Sequence, residues 1–540
     1  MQISQTPEAH NYPLLLGSVL ATGVLRAPEQ QIHYRDQQSF SYRELSSRVQ
    51  QLANVLTEHG VSVGQTVAVM DWDSHRYLEC FFAVPMLGAV LHTINVRLSP
   101  EQILYTINHA EDDVLLVNSE FLPILDSIWS RIETIKQVII LTDEEIPATS
   151  MTVVGEYEAL LAAAPATFDF PELDENTRAT TFYTTGTTGL PKGVYFSHRQ
   201  LVMHTLAMRS ATAGVGQGRF NSNDVYMPMT PMFHVHAWGA PLVATLLGAK
   251  QVYPGRYEPA KLLQLIKHHQ VSFTHCVPTI LQMLLSASAA DGQQFNGLKM
   301  IIGGAALPES LAVQALKRGI DVFTGYGMSE TCPILTLSYL QPGMESWSLE
   351  EQVAIRCKTG TPIDFVSLRI VDEQMQDVPH DGESQGEIVV RAPWLTQSYI
   401  KDAEGSKQLW AGGWLHTGDL AVMDELGYVK ITDRIKDVIK TGGEWVSSLE
   451  VENILLQHPQ INECAVIGVP DAKWGERPLA VLVGGEQRPD ATELVAFMQT
   501  YVEKGLLSSY GIPDRFVWVD EIPKTSVGKL NKKVMREQYS

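Results

Sequence analysis

The chain has 540 residues, enough at about 150 residues per domain for two to four folding units with ample core. Hydrophobic residues make up 45% and charged residues 19%, with 40 Gly and 28 Pro, which excludes fibrous and disordered classes. The net charge of −21 excludes broad nucleic-acid or anionic-membrane binding, so any anionic small molecule must be held by local features.

In chain order, the apolar stretch 12–25 comes first; no Lys or Arg precedes it and it is too short to span a bilayer. It reads as a packed N-terminal helix, with no stable membrane insertion and cytoplasmic residence as the default expectation. Short β-rich runs then alternate with helix-period segments, as in 258–270 with Leu262, Leu263, Leu265 and Ile266, followed by the strand-like 271–277. That alternation argues α/β architecture. Ser447 and Glu450 have capping-box spacing before a helix carrying Val451, Ile454 and Leu455, with Pro459 beyond it. A strand at 464–469, a helix with Leu494, Phe497, Met498 and Tyr501 on one face, and a strand at 516–519 complete a smaller α+β unit. We place the domains at 1–433 and 434–540, joined through the charged run Asp433-Arg434-Ile435-Lys436. The cysteines, Cys80, Cys276, Cys332, Cys357 and Cys464, are odd in number and form no CxxC pair, which fits reduced thiols rather than a disulfide framework or a zinc site.

The most informative segment is Tyr183-Thr184-Thr185-Gly186-Thr187-Thr188-Gly189-Leu190-Pro191-Lys192-Gly193-Val194. Its glycines let backbone approach phosphates, its threonines add hydroxyl donors, and Lys192 adds a mobile positive charge. A plain hairpin turn would not need four threonines and a lysine. Gly186 and Lys192 miss the Walker A spacing, and the flanks 180–183 and 194–196 read as strands, so a P-loop NTPase is disfavoured.

With this loop the sequence resembles the acyl-adenylate-forming superfamily, which includes acyl-CoA synthetases, peptide-synthetase adenylation domains and beetle luciferases. Further signatures follow in order. They are Pro231-Met232-Phe233-His234-Val235-His236-Ala237-Trp238, Gly303-Gly304-Ala305-Ala306-Leu307, Gly325-Tyr326-Gly327-Met328-Ser329-Glu330-Thr331, Thr417-Gly418-Asp419, Asp433-Arg434-Ile435-Lys436-Asp437 and Pro523-Lys524-Thr525-Ser526-Val527-Gly528-Lys529. The resemblance covers nearly the whole chain and implies a large N-terminal α/β domain with layered sheets and a smaller, mobile α+β C-terminal domain. The implied reaction joins a carboxylic acid to ATP, releases pyrophosphate, and passes the acyl group to coenzyme A.

Displacement at the α-phosphorus by a carboxylate depends on positioning and charge neutralisation. The resemblance assigns catalytic roles to Lys529, His234, Thr184 and Glu330, with Thr184 and Glu330 holding Mg²⁺. It assigns ATP to Thr184, Thr185, Gly186, Thr187, Thr188, Lys192, Gly304, Ala305, Thr324, Gly325, Tyr326, Gly327, Met328 and Ser329, with Tyr326 on the adenine face. Asp419 and Arg434 would take the ribose. Two glycines in the Tyr326 motif are expected to bring backbone close to the nucleotide. His234, Val235, Trp238, Gly239 and Gly304 would line the acyl site. Lys436 maps to a hinge about which the cap rotates, replacing the Lys529 face with the Lys440, Gly442, Gly443 and Glu444 face that would pass coenzyme A. Lys440 and Trp445 resemble residues that contact nucleotide and gate the acyl tunnel.

Several of these residues have plainer explanations in isolation. Lys529 lies among Lys524, Lys532 and Lys533, Lys436 in a charged linker, and His234 and Trp238 in an apolar run. Only the motifs set them apart, and His236 has no such support. The segment 433–452 is most similar to bacterial medium- and long-chain fatty acid–CoA ligases and to 3-methylmercaptopropionate ligases, so an aliphatic fatty acid is the expected substrate, with 3-methylmercaptopropionate the alternative. The Gly-rich 210–224 departs from the family pattern. A carrier-loading enzyme would need a separate carrier, since nothing after Lys529 resembles one. A luciferase-like oxygenase and a non-catalytic binding protein are the other readings; the latter has no reason to keep Glu330, Asp419 and Lys529 together. Family habit suggests a homodimer.

Overall fold

The computed structural model describes residues 4–184, 190–213, 219–289, 292, 294–442, 444–485, 487–525 and 529–539. Two large sheets carry the N-terminal part. The first has seven strands in the order Val153–Glu156, Gln137–Leu141, Val114–Asn118, Thr66–Met70, Val90–Thr93, Arg178–Tyr183 and Gly193–Ser197, all parallel except the last pair. Its central strands are continuous apolar runs because both faces are covered. The second has nine strands; Leu298–Ile302 pairs in parallel with Phe273–Cys276 and Ile320–Gly327, and Ile334–Leu337 turns back antiparallel beside the latter. Helix His75–Met86 packs against strands of both sheets and is buried from His75 through Pro85, so the two sheets share one core.

A third, antiparallel sheet of four strands ends with Leu415–Met423 and Val429–Arg434. The chain then crosses 435–438 into a five-stranded sheet that begins at Ile439–Thr441 and has its own apolar cores. Helix Ser448–Leu455 starts where its spacing predicts: the Ser447 hydroxyl accepts the Glu450 amide at 3.1 Å and donates onward to the Thr432 carbonyl. The helix read at 258–270 is Pro259–His269, and the N-terminal one is Leu16–Arg26. All five cysteines are free, and Cys357 alone among them is not fully buried. No helix among the described residues is long and apolar enough to cross a membrane.

Around the crossing, Asp433 pairs by backbone with Leu420 in the four-stranded sheet, while its carboxylate accepts the Ser448 amide at 2.6 Å and hydroxyl at 3.0 Å. Lys532, from the last helix, donates to Ser448 Oγ at 2.6 Å and pairs with Glu452 at 2.7 Å. Arg536 reaches back to Asp437 at 2.7 Å. This buried polar cluster fastens the smaller unit to its linker.

Candidate active site

The glycine- and threonine-rich motif joins two antiparallel strands, Arg178–Tyr183 and Gly193–Ser197, so the two strands form a hairpin. Thr185, Gly186, Thr187 and Thr188 lie outside the described residues, as does Gly443. Thr184 closes the base of the hairpin: its amide donates to the Lys192 carbonyl at 2.8 Å, and its hydroxyl accepts the Lys192 amide at 3.2 Å. The Lys192 ammonium pairs with Asp402 at 3.1 Å and lies 4.4 Å from the Tyr399 ring centre. Tyr399 in turn donates to Glu330 Oε1 at 2.7 Å. Nothing in the spacing of Tyr399 and Asp402 marks them in the sequence.

Glu330 is buried, which raises its pKa, while Tyr399, Arg434 and Lys529 hold it down. Among the described residues no cluster of three or more His, Cys, Asp or Glu side chains could hold a metal. A single buried carboxylate such as Glu330 suits a Mg²⁺ ion that keeps water and phosphate in its shell, rather than an all-protein cage.

The nucleotide motif occupies the end of strand Ile320–Gly327 and the turn after it. Its glycines answer to packing. A Cβ on Gly327 would sit 1.7 Å from the Pro333 carbonyl oxygen across a bulge in the strand pair, and one on Gly325 would strike Ile301 and Leu337. A Cβ on Gly303 would lie 2.7 Å from the Gly325 carbonyl oxygen and 3.0 Å from Trp238. Neighbouring backbone, not only a ligand, therefore demands glycine here. Thr324 is buried with its hydroxyl donating to the Lys358 carbonyl, Met328 and Ser329 open the turn, and Gly304 and Ala305 are exposed. Tyr326 donates to Asp419 Oδ2 at 2.7 Å, and Arg434 pairs with Asp419 Oδ1 at 3.1 Å, opposite it in the strand register. Asp419 holds the Arg434 pKa up.

Beside this wall lies a cavity of about 450 Å³ including its open mouth. Met229, Pro231, Trp238, Val277 and Ile280 form its apolar walls; Arg97, Thr230, His234, Tyr257, Thr279 and Lys529 supply its polar groups, with Gly304 at the rim. Burial draws the Lys529 pKa from the usual lysine range down to about 8, Arg434 pushes the same way, and Asp419 and Glu330 oppose. Burial, with Lys529 and Arg97 nearby, brings His234 to about 3, so its imidazole is neutral at physiological pH.

The segment after His234 is a turn of left-handed helix: Val235, His236, Ala237 and Trp238 have φ between +48° and +58°, and Gly239 has +72°. Such a turn costs about 1–2 kcal/mol per non-glycine residue, so its surroundings must impose it. Thr93 donates to the Phe233 carbonyl at 2.9 Å. Trp238 lies 5.0 Å from the His275 ring, and His236 is buried edge-on between Phe81 and Phe182. Val235 is in the core, and Gly239 packs on His204, where a Cβ would meet Nδ1 at 2.9 Å; neither borders the cavity.

The hairpin of Ile439–Thr441 and Glu444–Val446 is elsewhere. Lys440 stacks on Trp445 at 4.6 Å, Trp445 is half exposed, and Gly442 packs on Trp474 and Tyr510. Lys440, Gly442, Glu444 and Trp445 are absent from the cavity lining, and the exposed Lys436 lies on the crossing between sheets.

Residues 21–400 match the AMP-binding enzyme family and residues 450–529 match its C-terminal domain. The chain belongs to the AMP-binding enzymes. It is 42% identical over 511 residues to a long-chain-fatty-acid–CoA ligase of Thermus thermophilus, covering 94% of this chain and 92% of the relative. It is 39% identical over 500 residues to a 3-methylmercaptopropionyl-CoA ligase of Ruegeria pomeroyi, covering 92% and 91%. Among solved structures, the anthranilate CoA ligase AuaEII in complex with anthranoyl-AMP matches with a TM-score of 0.85 at 25% identity, covering 98% of each chain. This AMP-binding enzyme is an AMP-forming acid–CoA ligase, for which ATP and coenzyme A are the co-substrates.

Proposed function

We propose that this ligase activates a short- to medium-chain aliphatic or thioether acid in the Trp238–Lys529 cavity, with Lys529 as the adenylation residue. The observation that carries the reading is that Lys529, from the smaller unit, lines the same cavity as His234, Trp238 and Gly304. Its walls are apolar and its enclosed part holds only about 50 Å³, which favours a small acyl group. The two relatives, a long-chain-fatty-acid ligase and a 3-methylmercaptopropionyl-CoA ligase, bracket that choice.

In the first step a carboxylate oxygen attacks the α-phosphorus of ATP and the bond to pyrophosphate breaks, giving an acyl-adenylate. The Lys529 ammonium would bridge carboxylate and α-phosphate, two groups that otherwise repel. Glu330 and Thr184 would hold Mg²⁺, which when bound neutralises phosphate charge. Asp419, with Tyr326 and Arg434 fixing its carboxylate, would receive the ribose hydroxyls, and Lys192 would leave Asp402 for phosphate. In the second step the coenzyme A sulfur attacks the acyl carbonyl, the thiol proton is released, and AMP departs. Rotation about Lys436 would bring the Lys440–Trp445 hairpin to the cavity in place of Lys529. A cytoplasmic homodimer belongs to the same proposal.

Two measurements test this. Pyrophosphate release with free coenzyme A, screened from acetate through palmitate with 3-methylmercaptopropionate and an aryl acid, should peak between about four and ten carbons or at the thioether. A peak at palmitate would overturn the assignment of acid size. Asp419→Ala should raise the KM for ATP by roughly 10–100-fold, the scale of hydrogen bonds to a charged group. An unchanged KM would remove Asp419 from the ribose site.

A further inference from the structure

We propose that Asp73, which lies outside every motif of the family, is a positioning residue for the acyl cavity, holding two of its walls at once. Asp73 follows strand Thr66–Met70 of the seven-stranded sheet, and is 2% exposed. Its carboxylate has two partners, both from segments associated with the other sheet. Oδ1 accepts the Met232 amide at 2.8 Å, and Oδ2 accepts the Tyr257 hydroxyl at 2.5 Å. Its carbonyl also accepts the Gly255 amide at 2.8 Å.

Those partners lie at the site. Tyr257 borders the cavity directly, and Met232 sits between Pro231 and His234, which both border it. Residue 232 lies three positions before the left-handed turn that presents Trp238. A turn that is locally unfavourable takes its shape from fixed points, and the Asp73 and Thr93 bonds fix consecutive residues, 232 and 233, just ahead of it. A salt-bridged structural aspartate would face a cation as its main partner; here the acceptor oxygens are spent on an amide and a phenol of the cavity wall. Without Asp73, the buried Met232 amide would lose its acceptor and the Tyr257 hydroxyl would be released.

Burial pushes the Asp73 pKa up to about 7, against the pull of Tyr257, the Met232 amide and Arg97. A protonated carboxyl offers one acceptor and one donor, the same pair as an asparagine amide. Asp73→Asn can therefore keep both contacts, with the amide oxygen taking the Met232 N–H and the amide nitrogen donating to Tyr257, whereas Asp73→Ala loses both.

The inference rests on the cavity being the acid site, so it is tested by one readout that needs the reading and one that does not. Hydrogen exchange of the full-length protein should show the peptide spanning 230–239 exchanging at least 10-fold faster in Asp73→Ala and at the parent rate in Asp73→Asn, whatever the substrate. In ATP–pyrophosphate exchange with octanoate and with 3-methylmercaptopropionate, Asp73→Ala and Tyr257→Phe should each raise the KM for the acid roughly 10-fold and change the KM for ATP less than 2-fold. Asp73→Asn should stay within 3-fold of the parent. Tyr257→Phe keeps the ring and breaks one bond, so it reports even if the alanine variant is too unstable. Unchanged exchange at 230–239, or acid and ATP KM values that rise together, would overturn the proposal. Faster exchange with no turnover by the parent on either acid would leave Asp73 as the anchor of the turn and sink the assignment of the cavity instead.

Discussion

Lys529→Ala is expected to slow acyl-adenylate formation by roughly 10²–10³-fold, the cost of removing one group aimed at transition-state charge, while conversion of a supplied acyl-adenylate to the thioester continues near the parent rate. The asymmetry follows from placement: Lys529 borders the cavity, and the second step needs no cation between carboxylate and α-phosphate. The same lysine sets a pH limb. Its pKa in the folded protein is lowered to about 8, so the ammonium is present below that pH and is lost as pH rises through it. The kcat/KM for adenylation, which reports the free enzyme, should fall above about pH 8, and the limb in kcat should lie higher because bound phosphate favours the ammonium. Rapid-quench assays of each half-reaction across pH 6–10 check this. Equal losses in both halves, or a limb that persists in Lys529→Ala, would take Lys529 out of the first step.

Glu330→Gln should lower adenylation by roughly 10²-fold and weaken its response to Mg²⁺. The amide still accepts the Tyr399 hydroxyl, so the wall near Thr396 keeps its bonds and the loss reports charge rather than collapse. A second consequence is linked to Lys529, whose ammonium is favoured by the Glu330 field. Removing that charge should move the alkaline limb to lower pH. A Mg²⁺ titration and a pH profile on one protein preparation read both effects; an unaltered Mg²⁺ response would exclude Glu330 as its ligand.

Much of the scaffold is written locally in the chain. Leucine spacing marks Pro259–His269, and Ser447 marks the start of Ser448–Leu455, while of the charged run Asp433 and Arg434 end a strand and only 435–436 lie on the passage between sheets. The motif residues Tyr326, Asp419 and Arg434, each assigned to the nucleotide by the resemblance, meet side by side where strands 320–327, 415–423 and 429–434 converge. What is not local is not legible. Asp73, Arg97 and Tyr257 are far apart in sequence and have no shared spacing, so only the packing of two sheets reveals that Arg97 and Tyr257 border one cavity and that Asp73 holds Tyr257. Tyr399 and Asp402 tie Lys192 to Glu330 for the same reason. Gly325 and Gly327 suggest a close ligand when read alone, yet the carbonyl of Pro333 and the side chains of Ile301 and Leu337 already exclude a larger residue. The left-handed turn has no signal at all, since Val235, His236, Ala237 and Trp238 favour other conformations.

That turn bears on how readily such a ligase can be re-engineered. A cassette of residues 231–239 moved into another scaffold would carry the side chains of the proposed acyl site but not the bonds from Asp73 and Thr93 that hold residues 232 and 233 from outside the segment. If the cavity is the acid site, as proposed, acid preference belongs to the junction between sheets, and exchanging it calls for exchanging the junction.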